Sequence, residues 1–278
     1  SSTKEWALEN KKNWEDYWKN DETELVHFIG KDNIVFHCII FPSMLRAHGE
    51  YILPKNVPAN EFLNLEGEKI STSKNWAVWI HEYLEDFPDK EDVMRYVLVA
   101  NMPETKDSDF TWKDFQAKNN NELVAIYGNY VNRVIVLINK YYMGEVPTPE
   151  ILTKEDEKTI NSIKLARDKI GLTIEKFRFR ESNSEMINIA RTGNKYLADN
   201  EPWKKIKNEP ERTKTILFVS IQIVSALAYL SEPFLPFTSL KLKSILGIEK
   251  QIKWEEILNF DIIKSGHKIK KESFLFEK

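Results

Sequence analysis

The feature that most constrains this chain's fold is a stretch without a single charge, residues 215–231, in which Ser220, Gln222 and Ser225 interrupt an otherwise apolar run. A helix that is apolar on every side must be covered on every side. The run falls short of the roughly 20 apolar residues that cross a bilayer, so it reads as a buried helix. Pro233 and Pro236 stop it. Helices able to surround it are legible nearby. Across residues 121–142, Leu123, Ile126, Tyr127, Tyr130, Val134, Leu137 and Tyr141 fall along one helix face, and Pro147 and Pro149 follow. Further helices are expected over residues 155–170, 182–200 and 211–231, and from about Thr111 onward the chain reads as helical almost throughout. There is no internal repeat, heptad run or low-complexity segment.

Composition supplies the material for such a core. With 278 residues, 42% of them hydrophobic and including eight Trp and fifteen Phe, the chain is neither disordered nor fibrous. The length suits one large domain or two ordinary ones. Forty basic against 43 acidic residues give a net charge of −3, so binding of a polyanion would depend on a local basic face. Cys38 is the single cysteine, which excludes an internal disulfide and fits a reducing cytosol. The chain opens Ser1-Ser2-Thr3-Lys4 with no methionine and no charged-then-apolar leader, the expectation being an excised piece without a signal peptide.

The amino-terminal third has a different rhythm. A short apolar run at residues 25–29 ends at Gly30-Lys31-Asp32, after which Ile34, Phe36, His37, Ile40, Phe41 and Leu45 recur at helical spacing. This predicts a strand turning into a helix. A second strand-like run, residues 61–65, ends at Gly67, and the polar loop 68–75 has too few apolar residues to pack. Helices are expected at residues 77–84 and 90–100, followed by a polar break over 102–109.

Four places could carry chemistry. In the loop, Lys69, Ser71, Thr72, Ser73 and Lys74 put two ammonium groups and three hydroxyls after a glycine, a composition able to wrap a polyphosphate and offset charge on a leaving pyrophosphate. The plainer reading is an exposed polar turn. At Gly30, Lys31 and Asp32, a carboxylate at a helix start serves as a cap or contacts substrate, and His37 beyond it is a core histidine or a pocket group. Asn129 and Arg133 stand at i and i+4, about 5 to 6 Å apart at Cβ on one helix face. Asn and Arg can pair with or stack on a base, although a solvated helix face needs no such role. Trp203, after Pro202 at a helix terminus, is either a packing anchor or a stacking platform. No HExxH, CxxC, glycine-rich phosphate loop or nucleophile elbow is present, and the five histidines have no ligand spacing.

In order along the chain, these segments resemble the class I aminoacyl-tRNA synthetases, and among them the methionyl family. The resemblance rests on Phe28-Ile29-Gly30-Lys31-Asp32 through Phe36-His37, Phe41-Pro42 with Met44-Leu45, and Gly67-Glu68-Lys69-Ile70-Ser71-Thr72-Ser73. It continues through Arg95-Tyr96, Asp109-Phe110, Gly128-Asn129 with Arg133, Asn194-Lys195-Tyr196 with Pro202-Trp203, Pro233-Phe234-Leu235-Pro236, and Gly266-His267-Lys268-Ile269 with Leu275-Phe276. It covers nearly the whole chain.

The resemblance implies an ATP-dependent ligase that activates methionine as an adenylate and transfers it to tRNA(Met). The loop with Lys69, Ser71, Thr72 and Ser73 would close on ATP, with Gly30, Lys31 and Asp32 beside it. His37 and Asn33 would line the methionine pocket, and Asn129, Arg133 and Trp203 would read the anticodon. Cofactors would be ATP and Mg2+, and partners tRNA(Met) and methionine, with neither membrane nor DNA, in the cytoplasm. The family's loop is usually Lys-Met-Ser-Lys-Ser; here Ile70 and Thr72 replace the Met and the second Lys, and Lys74 or magnesium would carry the missing charge. Asn33 and Phe41 stand where isoleucine and tryptophan are common.

The family's His-Ile-Gly-His signature, most of its first nucleotide-binding repeat and its inserted, often zinc-holding connective domain have no counterpart here, so no metal site is expected in this chain. Without them the chain alone is expected to form no methionyl adenylate, because positioning needs donors on both faces of the substrate. The expected fold is mainly α: an α-helical anticodon-binding bundle preceded by a short α/β remnant of a Rossmann-type catalytic domain. Its parts would be residues 1–67 from the nucleotide-binding domain, 68–115 with the loop and linking region, 116–262 the helical domain, and 263–278 a tail packing back. The alternatives are a class I synthetase for another aliphatic amino acid, or a non-catalytic tRNA-binding module.

Overall fold

Strands in the amino-terminal third are short because its apolar runs are brief and cut by Gly, Pro and Asn. The computed structural model describes residues 2–258, 262–271 and 274–277. It divides into two units, residues 1–64 with 102–109, and residues 65–101 with 110–278. In the first unit, helix α1 (Ser2–Glu9) precedes strands β1 (Leu25–Val26) and β2 (Ile29–Gly30). They pair in parallel with β3 (Pro54–Asn56) and β4 (Ala59–Asn60), with Ile29 opposite Ala59 and Gly30 opposite Asn60. Parallel strands need a long crossover, and the helical residues between them supply it.

That crossover is compound. A 3₁₀ turn (Lys31–Asn33) leads to a π-helical turn (Phe36–Ile40), then α2 (Phe41–His48), closed by Gly49 at φ 93°. The π turn, in which the Phe41 N–H reaches back to the Phe36 carbonyl, comes directly before Pro42. Proline lacks the N–H that the next α-helical bond would use, so the widening falls where the ladder is already broken. Of the apolar set read at helical spacing only Leu45 is buried, whereas Ile34, Phe36 and Ile40 remain exposed.

The chain passes between units along β5 (Leu63–Leu65) and β7 (Ser108–Phe110). Between these lie β6 (Glu68–Lys69), α3 (Ile80–Asp86) and α4 (Glu91–Ala100). The helix expected from residue 77 starts three residues later, because Trp79 is extended and acts as the N-cap. The second unit continues with α5 (Trp112–Lys118), a wide π-helical stretch (Asn119–Gly128) and α6 (Asn129–Tyr142). The helix predicted over residues 121–142 is therefore two helical forms joined end to end. It stops at Met143 and Gly144, both at positive φ, before the prolines can act.

Helices α7 (Lys154–Glu175), α8 (Phe179–Asn200), α9 (Pro202–Lys205), α10 (Pro210–Leu230) and α11 (Pro236–Leu246) complete the bundle. The uncharged run lies in α10, whose 21 residues are long and apolar enough to cross a membrane. They are used here as the bundle's centre, packed against α6, α7, α8, α9 and α11. From Ile216 to Leu230 nearly every side chain is buried. The polar ones are satisfied locally: Ser220 and Ser225 hydroxyls donate to the Ile216 and Ile221 carbonyls, and Gln222 Nε2 donates to the Ile263 carbonyl.

The carboxyl-terminal residues return to this unit. Phe276 meets Tyr127 edge-on at 5.7 Å, Asn119 Nδ2 donates to the Glu277 carbonyl at 2.9 Å, and buried Ile269 donates its N–H to Gly144. The expected end of the bundle near Phe260 lies outside the described residues.

A close approach of α8 to α6 depends on Gly193. A Cβ there would lie 2.2 Å from the Tyr130 ring, and that ring is pinned because its hydroxyl donates to the Ser220 carbonyl at 3.1 Å. Gly193→Ala should therefore destabilise the chain by about 1–3 kcal/mol or more by forcing α6 and α8 apart. Thermal denaturation followed by circular dichroism measures it, and an unchanged melting temperature would show that the ring can move.

Candidate nucleic-acid interface

Asn129 and Arg133 begin and close the first turn of α6, where the polar positions of an otherwise buried helix face outward. Asn129 is exposed and Arg133 half-buried, while Tyr130, Val131 and Val134 between and beside them are buried. The Arg133 guanidinium lies 5.1 Å from the centre of the Trp203 ring, so two residues seventy positions apart in sequence are brought together. Trp203 sits on α9 behind Glu201, at φ 44°, and Pro202, and its ring remains 37% exposed. It thus packs on one side against a cation and offers surface on the other.

Asn194 on α8 braces this pair. Its Oδ1 accepts from Arg133 Nη1 at 3.3 Å, while its Nδ2 donates to the Ile126 carbonyl at 2.9 Å and to Ala190 at 3.2 Å. The Ile126 carbonyl belongs to the π-helical stretch, a form that leaves backbone groups out of the regular ladder. Sequence reading passed over this role, since only the tertiary packing of α8 on α6 creates it.

A buried polar cluster holds the corner that carries Trp203. Asp156, at the third position of α7, forms a capping box with Thr153. Its carboxylate also accepts from Arg212 of α10 at 2.5 and 2.8 Å and from the Tyr196 hydroxyl at 2.5 Å. Arg212 donates in addition to Asn200 Oδ1 at 2.8 Å, at the end of α8 just before Glu201 and Trp203. Burial alone would raise the Asp156 carboxyl, but Arg212, Tyr196 and Thr153 together hold it down at about 2.

The loop after β6 is closed rather than open. Ser71 and Trp76 exchange both backbone hydrogen bonds at 2.9 Å, around a 3₁₀ turn (Thr72–Lys74) that ends in Asn75 at φ 52°. Ser71 and Ser73 hydroxyls lie 3.2 Å apart, and Trp76 is fixed by its Nε1 donating to the Leu65 carbonyl. The expectation of a segment unable to pack is thus corrected: Trp76 staples it. Lys69 and Ile70 precede the turn, and Thr72, Ser73 and Lys74 are exposed.

In the first unit, Gly30 occupies the N-cap of the turn (Lys31–Asn33), with no side-chain cap hydrogen bond. Asp32 is exposed, and Asn33 Nδ2 reaches its Oδ1 at 3.4 Å. The Lys31 ammonium lies between Asp107, at 2.8 Å, and Glu61, at 2.5 Å; these two carboxylates raise its pKa. His37 is half-buried and its Nδ1 lies 3.2 Å from His27 Nδ1, so one ring donates while the other accepts. Burial first, and then the charge of His37, lower the His27 pKa. The Phe41 ring lies beside His27, tilted by 42° with the centroids 5.7 Å apart. The partner His27 was not singled out in the sequence; neither its spacing nor its neighbours mark it. Among the described residues no group of three or more His, Cys, Asp or Glu side chains could hold a metal ion.

Comparisons with known proteins agree with this architecture. Residues 1–135 match the family of class I tRNA synthetases (M), and residues 146–278 match the anticodon binding domain of methionyl tRNA ligase. The chain belongs to the class I tRNA synthetases, and within them to the methionyl family. It is 62% identical over 277 residues to the methionine–tRNA ligase of Flavobacterium psychrophilum, covering 99% of this chain and 40% of that protein. It is 63% identical to that of Christiangramia forsetii, covering 100% of this chain and 41% of that protein. The fold resembles that of Mycobacterium tuberculosis methionyl-tRNA synthetase bound by methionyl-adenylate, with TM-score 0.81 and 23% identity over 92% of this chain and 50% of that one. The chain thus spans about 40% of the curated relatives' length.

The Asp156 cluster has a pH signature. A carboxyl whose pKa is lowered on folding stabilises the fold above its unfolded value, and that contribution is lost as pH falls from about 4 through about 2. Asp156→Asn should abolish this acid-sensitive step and, by leaving Arg212 half-buried without its partner, cost about 3–5 kcal/mol at neutral pH. Urea titrations at several pH values test both; an unchanged acid slope would remove Asp156 from the account.

Proposed function

We propose that this chain is the part of a methionine–tRNA ligase that reads the anticodon of tRNA(Met) and carries the loop acting on ATP. The observation that supports the reading best is the Arg133–Trp203 pair braced by Asn194, with exposed Asn129 one turn away. RNA is read sequence-specifically where bases are splayed out, stacked on aromatic or guanidinium planes and paired along their edges. Trp203 would supply the stacking plane, Arg133 a second plane and edge donors, and Asn129 a donor–acceptor pair for a base edge. The bracing fixes the Arg133 fork before RNA arrives, which lowers the ordering cost of binding.

The reaction proposed for the whole enzyme is attack of the methionine carboxylate on the ATP α-phosphorus with release of pyrophosphate, then transfer of the methionyl group to tRNA. In it Lys69, Ser71, Thr72 and Ser73 would face the polyphosphate, the Ser71–Trp76 ladder setting the loop's shape. Gly30, Lys31 and Asp32 would border the ATP and amino-acid site, and His37 and Asn33 the methionine side chain. Magnesium, which neutralises phosphate charge when bound, would arrive on the ATP phosphates, since among the described residues no group of three or more His, Cys, Asp or Glu side chains could cage it. Soluble translation enzymes act in the cytoplasm, the compartment proposed here.

Binding to tRNA(Met) tests the reading. Trp203→Ala should weaken binding by about 1–3 kcal/mol through lost stacking. Arg133→Ala, and Asn194→Ala to a lesser degree, should erase preference for the CAU anticodon over a changed one. Equal affinity of the unaltered chain for both anticodons in filter binding would defeat the proposal, and equal loss on all sequences with Arg133→Ala would confine it to phosphate contact.

A further inference from the structure

We propose that a cleft in the second unit, next to the loop closed by Ser71 and Trp76, binds a small organic ammonium ion. The cavity holds about 360 Å³, at the lower end of sizes that enclose a small ligand. Its walls are aromatic: Trp76, Trp79, Tyr83, Phe87 and Trp112 line it. Tyr83, Phe87 and Trp112 stack face to face, with Tyr83–Phe87 at 5.1 Å and Phe87–Trp112 at 5.7 Å. The polar atoms of three of these rings are already used. Trp76 Nε1 donates to the Leu65 carbonyl, Trp79 Nε1 to Asn75 Oδ1 at 2.8 Å, and the Tyr83 hydroxyl to the Lys90 carbonyl. What Trp76 and Trp79 offer a ligand is therefore ring surface, whose negative faces attract cations.

The charges at the cavity point the same way. Glu66, Glu82 and Asp86 line it, and no lysine, arginine or histidine does. One Glu66 oxygen accepts the Trp112 backbone N–H at 2.8 Å, which sets that carboxylate beside the Trp112 ring. Indole faces with carboxylates at the rim favour a ligand that is both apolar and positively charged. A nucleotide or an RNA strand could stack on the rings, but its phosphates would meet three carboxylates and no cation. A neutral apolar ligand would gain nothing from the acidic rim.

Choline, added to the 278-residue chain and followed by the indole N–H NMR resonances, is the probe. The expected result is a saturable shift confined to Trp76, Trp79 and Trp112 among the eight tryptophans, assigned with single Trp→Phe variants. The uncharged isostere, with a quaternary carbon in place of nitrogen, should bind about fivefold or more weakly. The double variant Glu82→Gln with Asp86→Asn, both at exposed positions that leave the fold intact, should weaken choline by about the same factor. Absence of saturation, equal binding of the isostere, unchanged affinity in the double variant, or displacement of choline by AMP would each overturn the assignment.

Discussion

The constraint on which the second unit depends is that α10 cannot face water on any side. Its apolar residues from Ile216 to Leu230 are covered by α6, α7, α8 and α11, so those helices are placed by the need to bury one element. Burying an isoleucine or leucine side chain fully is worth about 1.5–3 kcal/mol, and α10 buries many. Close approach is then the limiting condition, and Gly193 meets it by giving the Tyr130 ring the space a Cβ would fill. With Tyr130 fixed, the polar residues of the same turn of α6 have only one direction left, outward, and that is where Asn129 and Arg133 lie.

The same packing turns a buried charge into a positioning device. A lone Asp156 inside a bundle would be costly, and Arg212 offsets the cost only because Tyr196, Thr153 and Asn200 complete the hydrogen bonding. Those partners come from α7, α8 and α10, so the cluster fixes the relative rotation of three helices at the corner from which Trp203 projects. Arg133 and Trp203 therefore meet through two independent supports, Asn194 on one side and the Asp156 cluster on the other.

Much of this was legible in the sequence because helical periodicity reports burial on one face. The helices at α7, α8 and α10 follow from their apolar spacing and prolines, and the motif order suggested which side chains to watch. What stayed hidden depends on contacts between distant segments. A helix is expected from residue 155, yet nothing local shows that the Asp156 carboxylate in its first turn meets Arg212. Asn194 is one polar residue among several on α8 until α6 is laid against it. In the first unit the apolar spacing of Ile34, Phe36 and Ile40 indicated a helix but not its cover, and those side chains remain exposed. Pro42 concealed a further detail, since removing one donor made the helix widen before it rather than end.

Two aromatic surfaces in the second unit show why ring content alone does not specify a ligand. Trp203 has a guanidinium over one face and lysines at positions 204 and 205, so a phosphate-bearing strand that stacks there meets favourable charge. Trp76, Trp79 and Trp112 line a cleft with three carboxylates, and the same strand would be repelled. The chain's near-neutral total of −3 conceals this division. Because exposed charges are screened beyond roughly 8–10 Å, each surface is governed by its own neighbours and not by the sum. On the proposed reading, a protein with no overall basic character would hold RNA at one ring and exclude it from another.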